Sequence, residues 1–173
     1  MSAGPIAVVT VDQFLDRFSD AKCELLGWET RPKPMPTMKH SKTAEQLQDR
    51  LRDTFGKQRV LRELSVRMIN EIMVPDVAVL KSDNPRLYRD ILDEPPLLCV
   101  EVVSSSHRPE EVLATCERHH EFGVPFCWVV DPATSRAWEY NLGEESREAT
   151  DALSGPCRIS LSDTFAEQQR TKP

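Results

Sequence analysis

Hydrophobic positions recur along this chain in two rhythms, one of three to four residues and one of two or fewer, and their alternation sets out the elements. Thr10, followed three residues later by Gln13, makes a capping box for a short helix with Phe14, Leu15 and Phe18 on its apolar side, expected to end near Ala21. Residues 23–26 begin a strand. The stretch Arg31-Pro32-Lys33-Pro34-Met35-Pro36 then forces an extended segment that runs into a loop, because each proline lacks an amide donor and restricts the residue before it. Ser41 is placed to cap a helix carrying Ala44, Leu47, Leu51 and Phe55 at helical spacing, and Gly56 is placed to stop it.

Two strand patterns follow, over residues 60–68 and 72–80, and then a polar, proline-containing surface loop over residues 81–96. Residues 97–103 form a Val-rich apolar run short enough to be a central buried strand, with one charge, Glu101, inside it. Pro109 fits a first helical turn. Val112, Cys116, His119 and Phe122 give that helix one face, which Gly123 ends. Residues 126–130 are a second apolar strand. A turn at Asp131-Pro132-Ala133-Thr134-Ser135 returns the chain as a strand over residues 136–141, with Trp138 and Tyr140 on one side. The remainder reads as a polar loop over residues 143–155, a short strand over 158–161 and a frayed end. Strands on both sides of a helix predict a mixed sheet with helices against it, of the α/β or α+β class.

Composition narrows the picture. At 173 residues, 39% hydrophobic and 29% charged, the chain has enough apolar surface for one globular domain, residues 1–173 with a core of about residues 10–165, without disulfides or a structural metal. A net charge of -6 excludes a global basic field for holding nucleic acid, so a polyanionic partner must be met by a local patch. The apolar runs are broken by Asp76, Glu101 and Pro125 well short of a membrane span, and the start lacks the basic residues of a signal peptide. Cys23, Cys99, Cys116, Cys127 and Cys157 are odd in number and scattered, as expected of reduced thiols in a cytoplasmic protein.

The chemistry lies in three carboxylates set in apolar strands: Glu24 in Cys-Glu-Leu-Leu, Asp76 in Val-Pro-Asp-Val-Ala-Val-Leu, and Glu101 in Leu-Cys-Val-Glu-Val-Val. An ionised carboxylate there must be paired, protonated or bound to a cation. A single such acid pairs most simply with an arginine, for which Arg62, Arg67 and Arg118 are at hand. Three in separate strands point instead to a shared site. If the Asp76 and Glu101 strands are neighbours, the two acids present hard oxygens suited to Mg²⁺ or Mn²⁺, the equipment of a phosphodiester-handling centre.

Pro75-Asp76, Glu101-Val102-Val103-Ser104 and Gly123-Val124-Pro125-Phe126-Cys127-Trp128-Val129-Val130-Asp131-Pro132 together resemble the Uma-type restriction endonuclease family, a branch of the PD-(D/E)XK nuclease superfamily. The resemblance extends to Glu24-Leu25-Leu26, to His40 before the following helix, and to Arg158-Ile159-Ser160-Leu161-Ser162 as a closing strand. It implies a restriction-endonuclease-like central sheet flanked by helices, with an N-terminal strand or hairpin region. It further implies Mg²⁺ or Mn²⁺ at Asp76 and Glu101 with Val102 beside them, Glu24 as an accessory acid, and hydrolysis of DNA. His40, Lys39 and Ser104 are the substrate-binding positions it suggests, and a homodimer is expected from the same analogy and from the apolar residues of the 126–141 hairpin.

Departures from the family pattern bear on turnover. A nuclease site of this kind needs a basic residue against the phosphate. Position 103, which shares a strand face with Glu101, is Val103, and the family's helical lysine corresponds to Thr115. Arg118, one turn further on, is the expected substitute, able to hold charge but a poor proton acceptor. Without such a residue the fold serves as an inactive binding or dimerisation module. A zinc corner at Cys116, His119 and His120 lacks a second ligand pair. Lys39, His40, Lys42, Arg50 and Arg52 form the best local basic patch, yet charges so spaced on a helix usually make a solvated face. Trp128, Trp138 and Tyr140 read as core or dimer packing rather than base-stacking groups.

Overall fold

A computed structural model describes residues 9–18, 22–104 and 109–169. Helix α1 (Val11–Phe18) leads into strands β1 (Cys23–Leu26) and β2 (Glu29–Pro32), and α2 (Met38–Phe55) follows. Then come β3 (Val60–Arg62), β4 (Val66–Arg67), β5 (Ile72–Met73), β6 (Val77–Val79), β7 (Leu87–Tyr88), β8 (Ile91–Leu92) and β9 (Leu98–Val102). The chain closes with α3 (Pro109–Phe122), β10 (Phe126–Asp131), β11 (Arg136–Asn141), β12 (Arg147–Ala149), β13 (Ala152–Leu153), β14 (Ile159–Ser160) and α4 (Leu161–Gln169).

The strands form two six-stranded sheets and one small pair. The central sheet runs β12-β11-β10-β9-β6-β3, and the second runs β2-β1-β5-β4-β8-β7. Within the central sheet β9 and β10 are parallel, joined through α3, and the other pairings are antiparallel. Period-two alternation sends Leu98, Val100 and Val102 to one face with Trp128 and Val130, where Ala44, Leu47 and Leu51 of α2 and Leu161 and Phe165 of α4 cover them. The opposite face carries Cys99, Cys127 and Val129 against Cys116 of α3. The result is a mixed α/β fold with helices on both sides of the central sheet, and α1 packs Phe14 and Leu15 on Leu25 and Ile72 of the second sheet.

Several sequence expectations change form. The two long strands foreseen over 60–68 and 72–80 each break in two, and their halves join different sheets: β3 and β6 the central one, β4 and β5 the second. Glu63 turns left-handed at φ 49° between β3 and β4, and Pro75, which cannot donate to a ladder, separates β5 from β6. Helix α2 begins three residues before Ser41: Thr37 is its N-cap, accepting from the His40 amide, and Ser41 lies inside the helix. The 81–96 loop holds the β7–β8 hairpin, and the C-terminal segment read as loop, strand and frayed end holds β12, β13 and helix α4. The foreseen end of α1 near Ala21 lies outside the described residues. Trp138 and Tyr140, both partly buried, pack against the α3-side core. Among the described residues no helix is long and apolar enough to cross a membrane.

Candidate active site

Asp76 stands immediately before β6 and is 6% exposed, in a stretch where a bare carboxylate would be costly. Its neighbours offset that cost. Register pairs Val77 with Val100 across β6 and β9, which brings the β9 main chain to the Asp76 side chain. Oδ2 accepts the Val102 amide at 2.7 Å and lies 3.1 Å from His40 Nε2. Oδ1 accepts from the Lys33 ammonium at 3.1 Å. Because an ionised carboxylate only accepts, His40 presents its Nε2–H here. Burial alone would raise the Asp76 pKa, but the His40 hydrogen bond, the Lys33 charge and the Val102 amide bring it down to about 2.

Glu101, on β9, meets His119 of α3, whose Nε2 is 2.8 Å from Oε1. His119 is fully buried, which by itself disfavours its charged form; the Cys99 thiol and the Glu101 carboxylate outweigh this and raise its pKa well above the usual value. Glu24, on β1, accepts the Val74 amide at 2.7 Å. Burial and the nearby Glu101 charge raise the Glu24 pKa, against the opposing pull of Lys33 and the Val74 amide. Glu24 thereby fixes the segment that carries Asp76.

Lys33 is the residue that sequence reading missed. The β1–β2 turn at Gly27 and Trp28, both at positive φ, folds the chain back, and the Lys33 amide bonds the Lys22 carbonyl just past the paired strands. That geometry delivers Nζ to the Val74 carbonyl and to Asp76 Oδ1, with the side chain 17% exposed. Burial would lower its pKa, yet Asp76, Glu101 and Glu24 raise it, so it is a fixed ammonium at neutral pH.

These groups line one hollow of about 210 Å³ together with Lys22, Cys23, His40, Glu63, Ser65, Ser104 and Thr115. Glu24, Asp76, Glu101, His40 and Ser104 are thus brought together, and Thr115 lines the same hollow. His40 is in the first turn of α2 and buried, so it is not part of a solvated helix face. Lys39 is exposed beside it. Arg118 is elsewhere: it pairs with Glu71 at 3.5 Å and lines a separate hollow with Trp28, Met68 and Phe122. Arg67 likewise pairs with Asp93, so none of the three acids is neutralised by these arginines. His120 is spent on the Val124 carbonyl, and Cys116 lies 3.1 Å from Cys127, which removes the imagined zinc corner.

Among the described residues no group of three or more His, Cys, Asp and Glu side chains converges as a metal cage. Mg²⁺ does not require one, since it keeps several waters and is commonly held by one or two carboxylates plus substrate oxygens. Asp76 and Glu101 at one hollow bring hard carboxylate oxygens, the donors that suit a cation of that kind.

The comparisons agree with this architecture. No curated protein matches the chain significantly. A crystal structure described as a "putative nuclease belonging to DUF820" from Anabaena variabilis superposes with a TM-score of 0.80 at 20% identity, covering 91% of this chain and 98% of that one. At that identity the likeness is one of fold. The sequence model of the Uma2 family, described as "Putative restriction endonuclease", matches residues 11–172. With nearly the whole described chain inside that match, the protein belongs to the Uma2 family.

Proposed function

We propose that this protein is a divalent-metal-dependent nuclease that hydrolyses phosphodiester bonds in DNA. The observation that carries the reading is Asp76, buried and ionised at the wall of a hollow it shares with Glu24, Glu101 and a lysine ammonium. Asp76 and Glu101, with Val102 beside them, would hold Mg²⁺ or Mn²⁺, which supplies Lewis-acid polarisation of the phosphate and a more acidic bound water. The chain's own groups do the rest. His40 and the Val102 amide orient Asp76, and His119 orients Glu101. Lys33 takes the role foreseen for Arg118, placing positive charge where the phosphate gains negative charge. Ser104 adds a polar group at the hollow, and Lys39 on the rim of α2 attracts the DNA backbone.

The test is incubation with Mn²⁺ or Mg²⁺ and labelled single- and double-stranded DNA, with the Asp76→Ala variant alongside to exclude a contaminating nuclease. Cleavage by the wild type alone is the expected result. Absence of cleavage under both metals would remove the reading.

A second reading, a binding module without turnover, is favoured by two observations: Thr115 in place of the family lysine, and both Asp76 oxygens already engaged by protein groups. Thr115→Lys separates the two. Cleavage gained in that variant from an inert wild type shows a site lacking only its base, and no gain supports the binding role.

A further inference from the structure

We propose that Lys33 is the resident cation of this site, and that a divalent ion binds Asp76 by displacing the Lys33 ammonium from Oδ1. The inference rests on the metal-nuclease reading and specifies how that site is regulated. Of the two Asp76 oxygens, Oδ2 already holds the Val102 amide and faces His40, so Oδ1 is the oxygen a cation can take, and Lys33 Nζ occupies it. The other acceptor of Nζ, the Val74 carbonyl, is an oxygen as well. A carboxylate and a carbonyl are the hard donors that Mg²⁺ and Mn²⁺ choose, so the ammonium sits in a cation's coordination environment. Two cations cannot share one oxygen at contact distance without strong repulsion in a site this withdrawn from water. The lysine stem is flexible, and Glu24 at the same hollow offers Nζ another negative partner once Oδ1 is lost. The displaced ammonium remains on the wall of the hollow where a phosphate would lie. Exchange of one cation for the other therefore both loads the site and frees the phosphate-binding charge. Without a divalent ion, the Lys33 ammonium stays on Asp76 Oδ1 and is withheld from a phosphate.

The experiment is Mn²⁺ binding by titration calorimetry to the wild type, Lys33→Met and Asp76→Ala, each checked for fold by circular dichroism. Met keeps most of the aliphatic stem and removes the charge. Mn²⁺ should bind Lys33→Met about tenfold or more tightly than the wild type, as expected when one like charge is removed from a partly buried site. Asp76→Ala should not bind. Equal or weaker binding by Lys33→Met, with wild-type binding intact and lost in Asp76→Ala, overturns the exchange while leaving the metal site standing. No Mn²⁺ binding by either wild type or Lys33→Met overturns the metal reading itself, and the exchange with it. Should Lys33→Met fail to fold, Lys33→Gln, which retains a hydrogen-bond donor for Asp76, is held to the same criterion.

Discussion

The two large sheets contribute to the site in opposite ways. The central sheet brings carboxylates: Asp76 at the start of β6 and Glu101 within β9, held by buried, hydrophobic strands. The second sheet brings Glu24 and, from just beyond β2, the ammonium of Lys33. One sheet is covered by helices on both faces, whereas the other has a hairpin, β7–β8, whose Leu87 is 55% exposed. The difference teaches where rigidity and adjustability reside. Asp76 and Glu101 are set in the well-packed layer, and the Lys33 side chain reaches Asp76 from the thinner one.

The most severe challenge to this comparison is chemical. Removing the charge with Lys33→Ala should lower cleavage about 10²–10³-fold, the usual size of losing one electrostatic stabiliser, whereas Arg118→Ala should stay near wild type. The reverse ranking in a DNA-cleavage assay would return the role to α3. Next comes packing. Leu98→Ala in β9 should cost about 2–5 kcal/mol in urea unfolding, and Leu87→Ala within about 0.5 kcal/mol of nothing. Similar costs would erase the contrast between the sheets.

A smaller effect is tied to pH. The folded-state pKa of Asp76, about 2, is below its ordinary 3.8, so its charge stabilises the fold above pH 4 and that contribution disappears as pH falls toward 2. By that difference, wild type should exceed Asp76→Asn by about 2 kcal/mol at pH 7, with the gap closing through that acid range in unfolding titrations. A gap that does not change with pH would mean that the charge of Asp76 is not what its partners stabilise. The smallest effect concerns α2. Thr37→Ala should cost about 1 kcal/mol and Ser41→Ala much less, since only Thr37 caps the helix.

Much of this was legible in the sequence, for reasons that differ by element. The β9-α3-β10-β11 run was readable because apolar periodicity, Pro109 and Gly123 all agree on its limits, and the three acids were readable because a carboxylate in an apolar strand is expensive. Lys33 was hidden: a lysine between two prolines looks like solvated loop, and only the fold of the β1–β2 hairpin turns it inward. His119 was read as part of a packing face, and its placement 2.8 Å from Glu101 depends on how α3 packs on the central sheet, which no local pattern announces. The signal available was a histidine on the otherwise apolar Val112-Cys116-Phe122 face. The broken strands were misread because their hydrophobicity is continuous while their pairing is not: β4 folds back on the nearby β5 and also takes β8, whereas β3 and β6 pair with each other and β6 with β9.

The hydrogen bonds around Asp76 also have a temporal meaning. Glu24 to Val74 spans 50 residues, Lys33 to Asp76 spans 43, and Asp76 to Val102 spans 26, whereas α2 closes on itself within single turns. Long loops must lose their entropy before such contacts reward it, so the helix can form while the charge network is still apart. A nascent chain releases Glu24, Lys33 and His40 long before Val102. In refolding with pulsed hydrogen exchange, the α2 amides should gain protection first, and the amides of Val74 and Val102, which seal the acids in place, should gain it last.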